Sequence, residues 1–390
     1  MNIFELKGKI HNYEWGQIGE KSKITQLLKH NDPKFEIDKI KPYAELWMGT
    51  HPSGEAIIKE SNEGLSKWIQ SNDSSNGQLS FLFKVLSINK ALSIQSHPNK
   101  EEAEILHASR PDIYKDPNHK PELAIALTKF KAMCGFRPYK QIQTFIRILP
   151  ELETLIGDKY TKEFLLSPSN KTLKSCFEAL MKSKETDLIQ CLKDMENRML
   201  NQTINNNVHK ELFLDLKQQF PNDVGILCIY FLNVLYLEPG EAIYLGPNIP
   251  HAYIHGDCVE CMACSDNVIR AGLTPKFKDV DTLIKTLDYA GYEAKDLLFK
   301  PKQVNKYIQI YQPPVPDFSV AKILVPAGTQ EKVKCSFDSH SIIIVISGTA
   351  KSNIGDLSKG AIVFVAKNED FYLENESNEE IVIYQAMSNY

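Results

Sequence analysis

The 390-residue sequence has no run approaching the roughly 20 uninterrupted apolar residues of a membrane span, so no transmembrane segment is expected. It also carries little net charge. The 45 Lys and Arg against 49 Asp and Glu leave −4, which gives no reason to expect nucleic acid or an anionic membrane surface as partner. The opening MNIFELKGKIHNYEWG lacks the apolar core of a secretory signal. Cysteine is sparse, at eight residues. That number in so long a chain is not a disulfide framework, and with no secretory signal it predicts free thiols in a reducing cytoplasm. Neither G-x-G-x-x-G nor G-x-x-x-x-G-K-[ST] occurs, so a dinucleotide fold and a P-loop are unsupported.

What is present is ordinary for a soluble globular protein, with 43% hydrophobic and 24% charged residues. The length exceeds what one core usually supports and predicts two or three domains. Residues 1–138 are rich in strands and turns: AELWMGTHPSGEAII carries close Gly and Pro signals, and FLFKVLSI and ALSIQSH read as strands. Asn99, with Glu102 three residues on, predicts a capped helix over AEILHA. Over 139–222 glycine nearly vanishes. Leu173, Cys176, Phe177, Leu180 and Met181 follow a helical period, as do Leu188, Cys191, Leu192, Met195 and Met199. This predicts a helical subdomain set into a β framework. Strands are expected to resume at 224, in GILCIYFLNVLYLEPGEAIYLGP, and a short helical connection at 281–300. The chain would then close on short, evenly spaced strands such as SIIIVISGTAKS and EIVIYQA, a sandwich or barrel.

The chemistry begins at LSIQSHPNK, residues 92–100. Residues i and i+2 of a strand share a face, so Gln95 and His97 would project side by side where burial alone would favour Val or Ile. Glu122 opens an apolar strand after Pro121, and His251 opens another after a Pro-rich turn. Taken singly, such a Glu is usually a solvated strand end and such a His a surface or hydrogen-bonded residue. Together, two His, one Glu and one Gln form a mixed nitrogen and oxygen set that suits a divalent ion such as zinc with an open position. CVECMAC is a decoy. In a strand Cys258 and Cys264 face one way and Cys261 the other, so the three cannot chelate one ion and are expected to be packed thiols. Tyr253 shares the face of His251 and joins the substrate-binding candidates. Lys84, Lys100 and Lys120 lie near the ligands in sequence, and Arg270 and Lys276 follow the His251 strand. Cations beside a metal suggest a phosphorylated substrate, although most lysines are only solvated charges.

These residues sit in long runs that resemble type I phosphomannose isomerases: YEWG, AELWMGTHPSGEA, KVLSINKALSIQSHPNK, YKDPNHKPELAIALTKFKAMCGFRP and YLGPNIPHAYIHGDCVECMACSDNVIRAGLTPKFKDV. The resemblance implies a mainly β fold of cupin (jelly-roll) domains with an inserted α-helical subdomain. The catalytic cupin would comprise 1–138 and 223–300, the helical part 139–222, and a second cupin-like domain 301–390, which has no His at ligand spacing. One Zn2+ per chain would be held by Gln95, His97, Glu122 and His251. The implied activity interconverts mannose 6-phosphate and fructose 6-phosphate through an enediol(ate), in the cytoplasm, on the route to GDP-mannose, by a chain acting as a monomer. Arg270 falls on the family's active-site arginine. Glu260 and Asp266 are both candidates for the base, although simple parity turns Glu260 away from the face of His251 unless the strand bends at Gly256. Two other classes use similar sites. A sugar-binding cupin without chemistry is disfavoured by the presence of Arg270 with every ligand. An iron oxygenase is disfavoured by Gln standing where another His would be expected.

Overall fold

The structure is a computed structural model that describes residues 2–73, 76–201 and 208–389. Its centre is one long strand, His251–Ala263, in a ten-stranded sheet. The first part of this strand pairs with Phe130–Phe136 on one side and meets Gln95 on the other. Its second part pairs with Phe81–Ile88 and with Glu122–Ala126. One strand therefore joins every segment that carries a predicted ligand.

FLFKVLSI is apolar almost throughout because it is buried on both faces. Phe81, Phe83 and Val85 pack into a layer shared with Phe4, Ile342, Ile344 and Phe364, against the carboxy-terminal sheet. Leu86 and Ile88 point the other way, into the barrel interior with Ala124, Phe130, Tyr253 and Cys258. Lys84 occupies that inward face and is buried. SIIIVIS follows the same rule. Ile342 and Ile344 face the shared layer, whereas Ile343 and Val345 fill the interior of the carboxy-terminal β domain.

Helices follow one another from Tyr139 to Gln219. In Asn170–Met181 and Glu185–Asn201 the buried residues are those picked out by the 3.6-residue period. They pack with Phe136, Phe231, Ala252 and Ile254, on the outside of the barrel strands. The fold is thus mainly β, of cupin type, with a helical insertion. No helix among the described residues is long and apolar enough to cross a membrane.

Two features differ from the sequence expectation, one long-range and one local. Ile3–Lys7, counted with the first domain, hydrogen-bonds through Ile3, Phe4 and Glu5 to Ile362–Val365 of the carboxy-terminal sheet. Local pattern cannot specify such a partner. Val224–Tyr230, expected as strand, is a 3-10 helix, and the strand starts at Leu232. All residues of that helix are buried, so the run had no polar face to reveal its period.

Candidate metal centre and active site

Glu122 opens the strand Glu122–Ala126 with its side chain buried beside two histidines. His97 Nε2 lies 3.4 Å from Glu122 Oε1, and His251 Nε2 lies 3.4 Å from Oε2. The opposite nitrogen of each ring is engaged: His97 Nδ1–H donates to the Asn267 carbonyl at 2.7 Å and His251 Nδ1–H to the Ile249 carbonyl at 2.8 Å. This fixes the tautomer and turns both Nε2 lone pairs toward Glu122. Both Nε2 atoms and Glu122 Oε2 are buried without a hydrogen-bond partner. Leaving such an atom unsatisfied costs about 1–3 kcal/mol, a cost that a cation bound among them removes. Burial lowers the His97 pKa to about 4, so the ring is neutral, as a ligand must be. Burial opposes charge on Glu122 as well, but Lys120, with Nζ 3.0 Å from Oε1, helps to hold its carboxyl well below the ordinary range. The donor set, two imidazoles and a carboxylate with ligand atoms within 4.8 Å of one another, fits one divalent metal ion.

Gln95 stands beside this cluster. Its backbone pairs with His251 on one side and Arg270 on the other. Gln95, Glu122 and Arg270 share the wall of a cavity of about 580 Å³ with Lys84, Lys120, Tyr253, Glu260 and Lys276. Arg270 is half-buried, no carboxylate or carbonyl among the described residues engages its guanidinium, and burial depresses its pKa. An unpaired, partly desolvated guanidinium on a cavity wall is suited to an anionic ligand.

Glu260 faces the cavity after all. Opposite Lys131 and Ala132, the strand advances from His255 to Tyr253, so one extra residue, Ile254, is inserted. This bulge exchanges the two faces of the strand. Gly256 follows it at φ 111°, where a Cβ would overlap the Lys129 carbonyl oxygen. His251 and Tyr253 before the bulge therefore share a side with Cys258 and Glu260 after it. Gly256→Ala is expected to lower stability by about 2–4 kcal/mol, read as a fall in the unfolding midpoint. An unchanged midpoint would contradict the need for glycine there.

Glu260 is held at both oxygens. Tyr253 donates to Oε1 at 2.9 Å, and Lys84 Nζ lies 3.0 Å from Oε2. Burial raises the Glu260 pKa despite Lys84. Burial would lower the Lys84 pKa, but Glu260 and Glu45, the latter 3.5 Å away, reverse this and raise it. The Trp47 indole N–H also donates to Glu45.

Two sequence candidates do not reach the cavity. Lys100 is the exposed first residue of the helix Lys100–Ser109, which starts there because Asn99 and Glu102 form the capping box. Asp266 is exposed, 3.7 Å from His51 Nε2. It is turned outward because Asp116 ties down its loop, accepting from Ser265 Oγ and from the Asp266 backbone N–H at 2.8 Å each. Conversely, Glu45, Lys90 and Phe220 line the cavity and were not singled out. Glu45 had a signal, an acid inside the otherwise apolar ELWM. Lys90, whose Nζ lies 4.6 Å from the Phe220 ring centre, and Phe220 itself had none, since they meet only in the folded chain.

The cysteines divide as strand geometry requires. Cys258 lies in the barrel interior, and Cys261 lies on the opposite face with Phe83, Val85 and Leu123. Burial raises both thiol pKa values well above the ordinary one, and with the two on opposite faces of the strand they cannot hold one ion together. Cys261→Ala is expected to leave bound metal unchanged and to cost about 1 kcal/mol. Loss of a metal equivalent on direct analysis would contradict this packing role.

Residues 3–139 match the family described as phosphomannose isomerase type I, catalytic domain, and residues 155–232 match the helical insertion domain of the same family. The chain is 45% identical to the mannose-6-phosphate isomerase of Rattus norvegicus over 414 aligned positions, covering 98% of both chains. The chain belongs to the type I phosphomannose isomerase family. The human enzyme of that name is 44% identical, with the same coverage. That of Schizosaccharomyces pombe is 37% identical over 98% of this chain and 99% of its own. Among solved structures, the apo mannose 6-phosphate isomerase from Salmonella typhimurium covers both chains fully, with a TM-score of 0.86 at 28% identity. A zinc-bound mannose 6-phosphate isomerase superimposes with a TM-score of 0.85 at 28% identity, again over both whole chains.

Proposed function

We propose that this chain is a zinc-dependent aldose–ketose isomerase that interconverts D-mannose 6-phosphate and D-fructose 6-phosphate. The observation that carries the reading is the set of orphaned buried ligand atoms, His97 Nε2, His251 Nε2 and Glu122 Oε2, beside a cavity that also holds an unpaired Arg270. Relatives sharing up to 45% of its residues carry the name of this activity, and a zinc-bound structural neighbour supports the choice of metal.

In this reading His97, Glu122, His251 and Gln95 hold one zinc ion. Bound there, the ion supplies Lewis-acid polarisation to the oxygens at the reacting end of the sugar. The remaining chemistry belongs to the side chains. The reaction moves hydrogen between C2 and C1. Glu260 takes the C2 proton, and the electron pair left behind forms the C1–C2 double bond of an enediolate. Returning the proton to C1, with the hydroxyl proton passing from O2 to O1, completes the ketose. Tyr253 and Lys84 fix both oxygens of Glu260, so its carboxylate need not reorganise as the proton moves. Arg270, next to Gln95 in the sheet, faces the charge that develops on the enediolate oxygens. Lys276 and Lys90, nearer solvent on the cavity wall, take the phosphate.

The test is turnover of mannose 6-phosphate by the purified protein, coupled to detection of fructose 6-phosphate, with metal analysis before and after chelation. Turnover that is lost with one equivalent of zinc and restored by adding it back is expected. No turnover by a zinc-loaded protein would overturn the assignment and favour a sugar-binding cupin without chemistry.

A further inference from the structure

The chain turns sharply just after the strand Ile269–Gly272 that carries Arg270. Leu273, buried and not glycine, takes a left-handed backbone with φ 53°. That conformation is uncommon for such a residue and persists only where the surroundings impose it. Because of this turn, Thr274, Pro275 and Lys276 line the cavity instead of extending the strand away from it.

The constraint comes from the segment that leaves the helical insertion. Asp223, four residues beyond the helix Lys210–Gln219, directs its carboxylate at the turn. Oδ1 accepts from the backbone N–H of Leu273 at 2.7 Å and of Gly225 at 2.7 Å. Oδ2 accepts from the Thr274 N–H at 3.3 Å and lies 3.5 Å from Lys278 Nζ. The two backbones also meet with no room for side chains: a Cβ on Gly272 would come within 2.6 Å of the Gly225 Cα. A few residues earlier the same segment braces the other rim. Gln219 Oε1 accepts from the Ala91 N–H at 2.8 Å, and the Phe220 ring lies under Lys90.

We infer that Asp223 is a positioning residue for the substrate phosphate. It clamps the Leu273–Thr274 turn and so sets where Lys276 presents its charge in the cavity. The inference rests on the isomerase reading and deepens it by giving the helical insertion a part in substrate binding. Asp223 does not line the cavity itself, so it acts through the turn. A role confined to capping the 3-10 helix at Gly225 would require none of the bonds to Leu273 and Thr274.

The experiment compares Asp223→Ala and Asp223→Asn with wild type in the full-length, zinc-loaded enzyme, reading kcat, KM for mannose 6-phosphate and bound zinc. Misplacing a binding group by an ångström costs up to about a hundredfold. KM is therefore expected to rise about ten- to a hundredfold, with kcat within about threefold and zinc unchanged, because phosphate binding is felt alike in ground and transition states. Asp223→Asn keeps the volume and the Oδ1 acceptor for Leu273 and Gly225 but sets an amide N–H donor against the Thr274 N–H and the Lys278 ammonium in place of Oδ2. It therefore still pushes the Thr274 side of the turn away and decides the matter if Asp223→Ala fails to fold. Lys276→Ala supplies an independent readout. If Asp223 acts through Lys276, adding Asp223→Asn to Lys276→Ala raises KM little further, whereas full additivity overturns the inference. An unchanged KM, or loss of zinc in step with activity, also overturns it. Wild-type enzyme that does not turn over mannose 6-phosphate defeats the isomerase reading. Wild-type turnover with unaltered variants defeats only the role of Asp223.

Discussion

His251→Ala is expected to lose bound zinc and to lower turnover of mannose 6-phosphate by about a thousandfold or more, the effect of removing several kcal/mol of charge stabilisation. His251 opens the central strand, and its ring is oriented by the Ile249 carbonyl two residues before it. The substitution removes one of the two Nε2 donors and leaves Glu122 Oε2 without the atom that faces it at 3.4 Å. His97→Ala, which breaks the contact with Oε1, should behave alike. Metal content by elemental analysis and kcat/KM from the coupled assay are the two readings. A His251→Ala protein that keeps a full equivalent of zinc would remove that residue from the site. One that loses the metal and keeps its activity would detach the metal from the reaction.

Arg270→Ala is expected to lower kcat about a hundred- to a thousandfold, the usual loss when one well-placed electrostatic donor is removed. Zinc should stay bound, because the guanidinium makes no hydrogen bond or ion pair with Gln95, His97, Glu122 or His251. Arg270 differs from Lys84 and Lys120, which are neutralised by Glu260 and Glu122 within the protein. No carboxylate among the described residues faces Arg270, which under the proposed function leaves the substrate as its partner. A ground-state phosphate contact would appear mainly as a raised KM, whereas charge stabilisation in the transition state appears in kcat. Its position beside Gln95, the strand neighbour of His251, favours the second. Wild-type kcat with only a raised KM would reverse the assignment and move Arg270 to the phosphate with Lys276.

Much of this was legible in sequence wherever the signal was local. Gln95 and His97 stood out because alternating strand residues share a face, and both buried helix stripes followed a 3.6-residue repeat. The capping box at Asn99 and Glu102 was visible as a four-residue pattern and is present. What was missed depends on how distant segments meet. Parity put Glu260 on the wrong face because a one-residue bulge at Ile254, opposite Lys131 and Ala132, is invisible in a single strand. Asp266 is close to the ligands in sequence, yet Asp116, 150 residues earlier, turns its loop to the surface. Lys90 lies between two barrel strands well before the helical insertion and Phe220 at the end of that insertion, and they meet only on the cavity rim. The first strand pairs with Ile362–Val365 near the other end of the chain. In each case the deciding contact lies outside any window that a periodicity can read.

The central claim is that one zinc ion sits among His97, Glu122, His251 and Gln95. An anomalous difference map, recorded from crystals of the active protein on either side of the zinc absorption edge, tests it directly. The account predicts one peak per chain, within coordination distance, about 2.0–2.2 Å, of both Nε2 atoms and the Glu122 carboxylate, and none at Cys258, Cys261 or Cys264. A peak at the cysteines, or an active protein with no peak at the histidines, would contradict it.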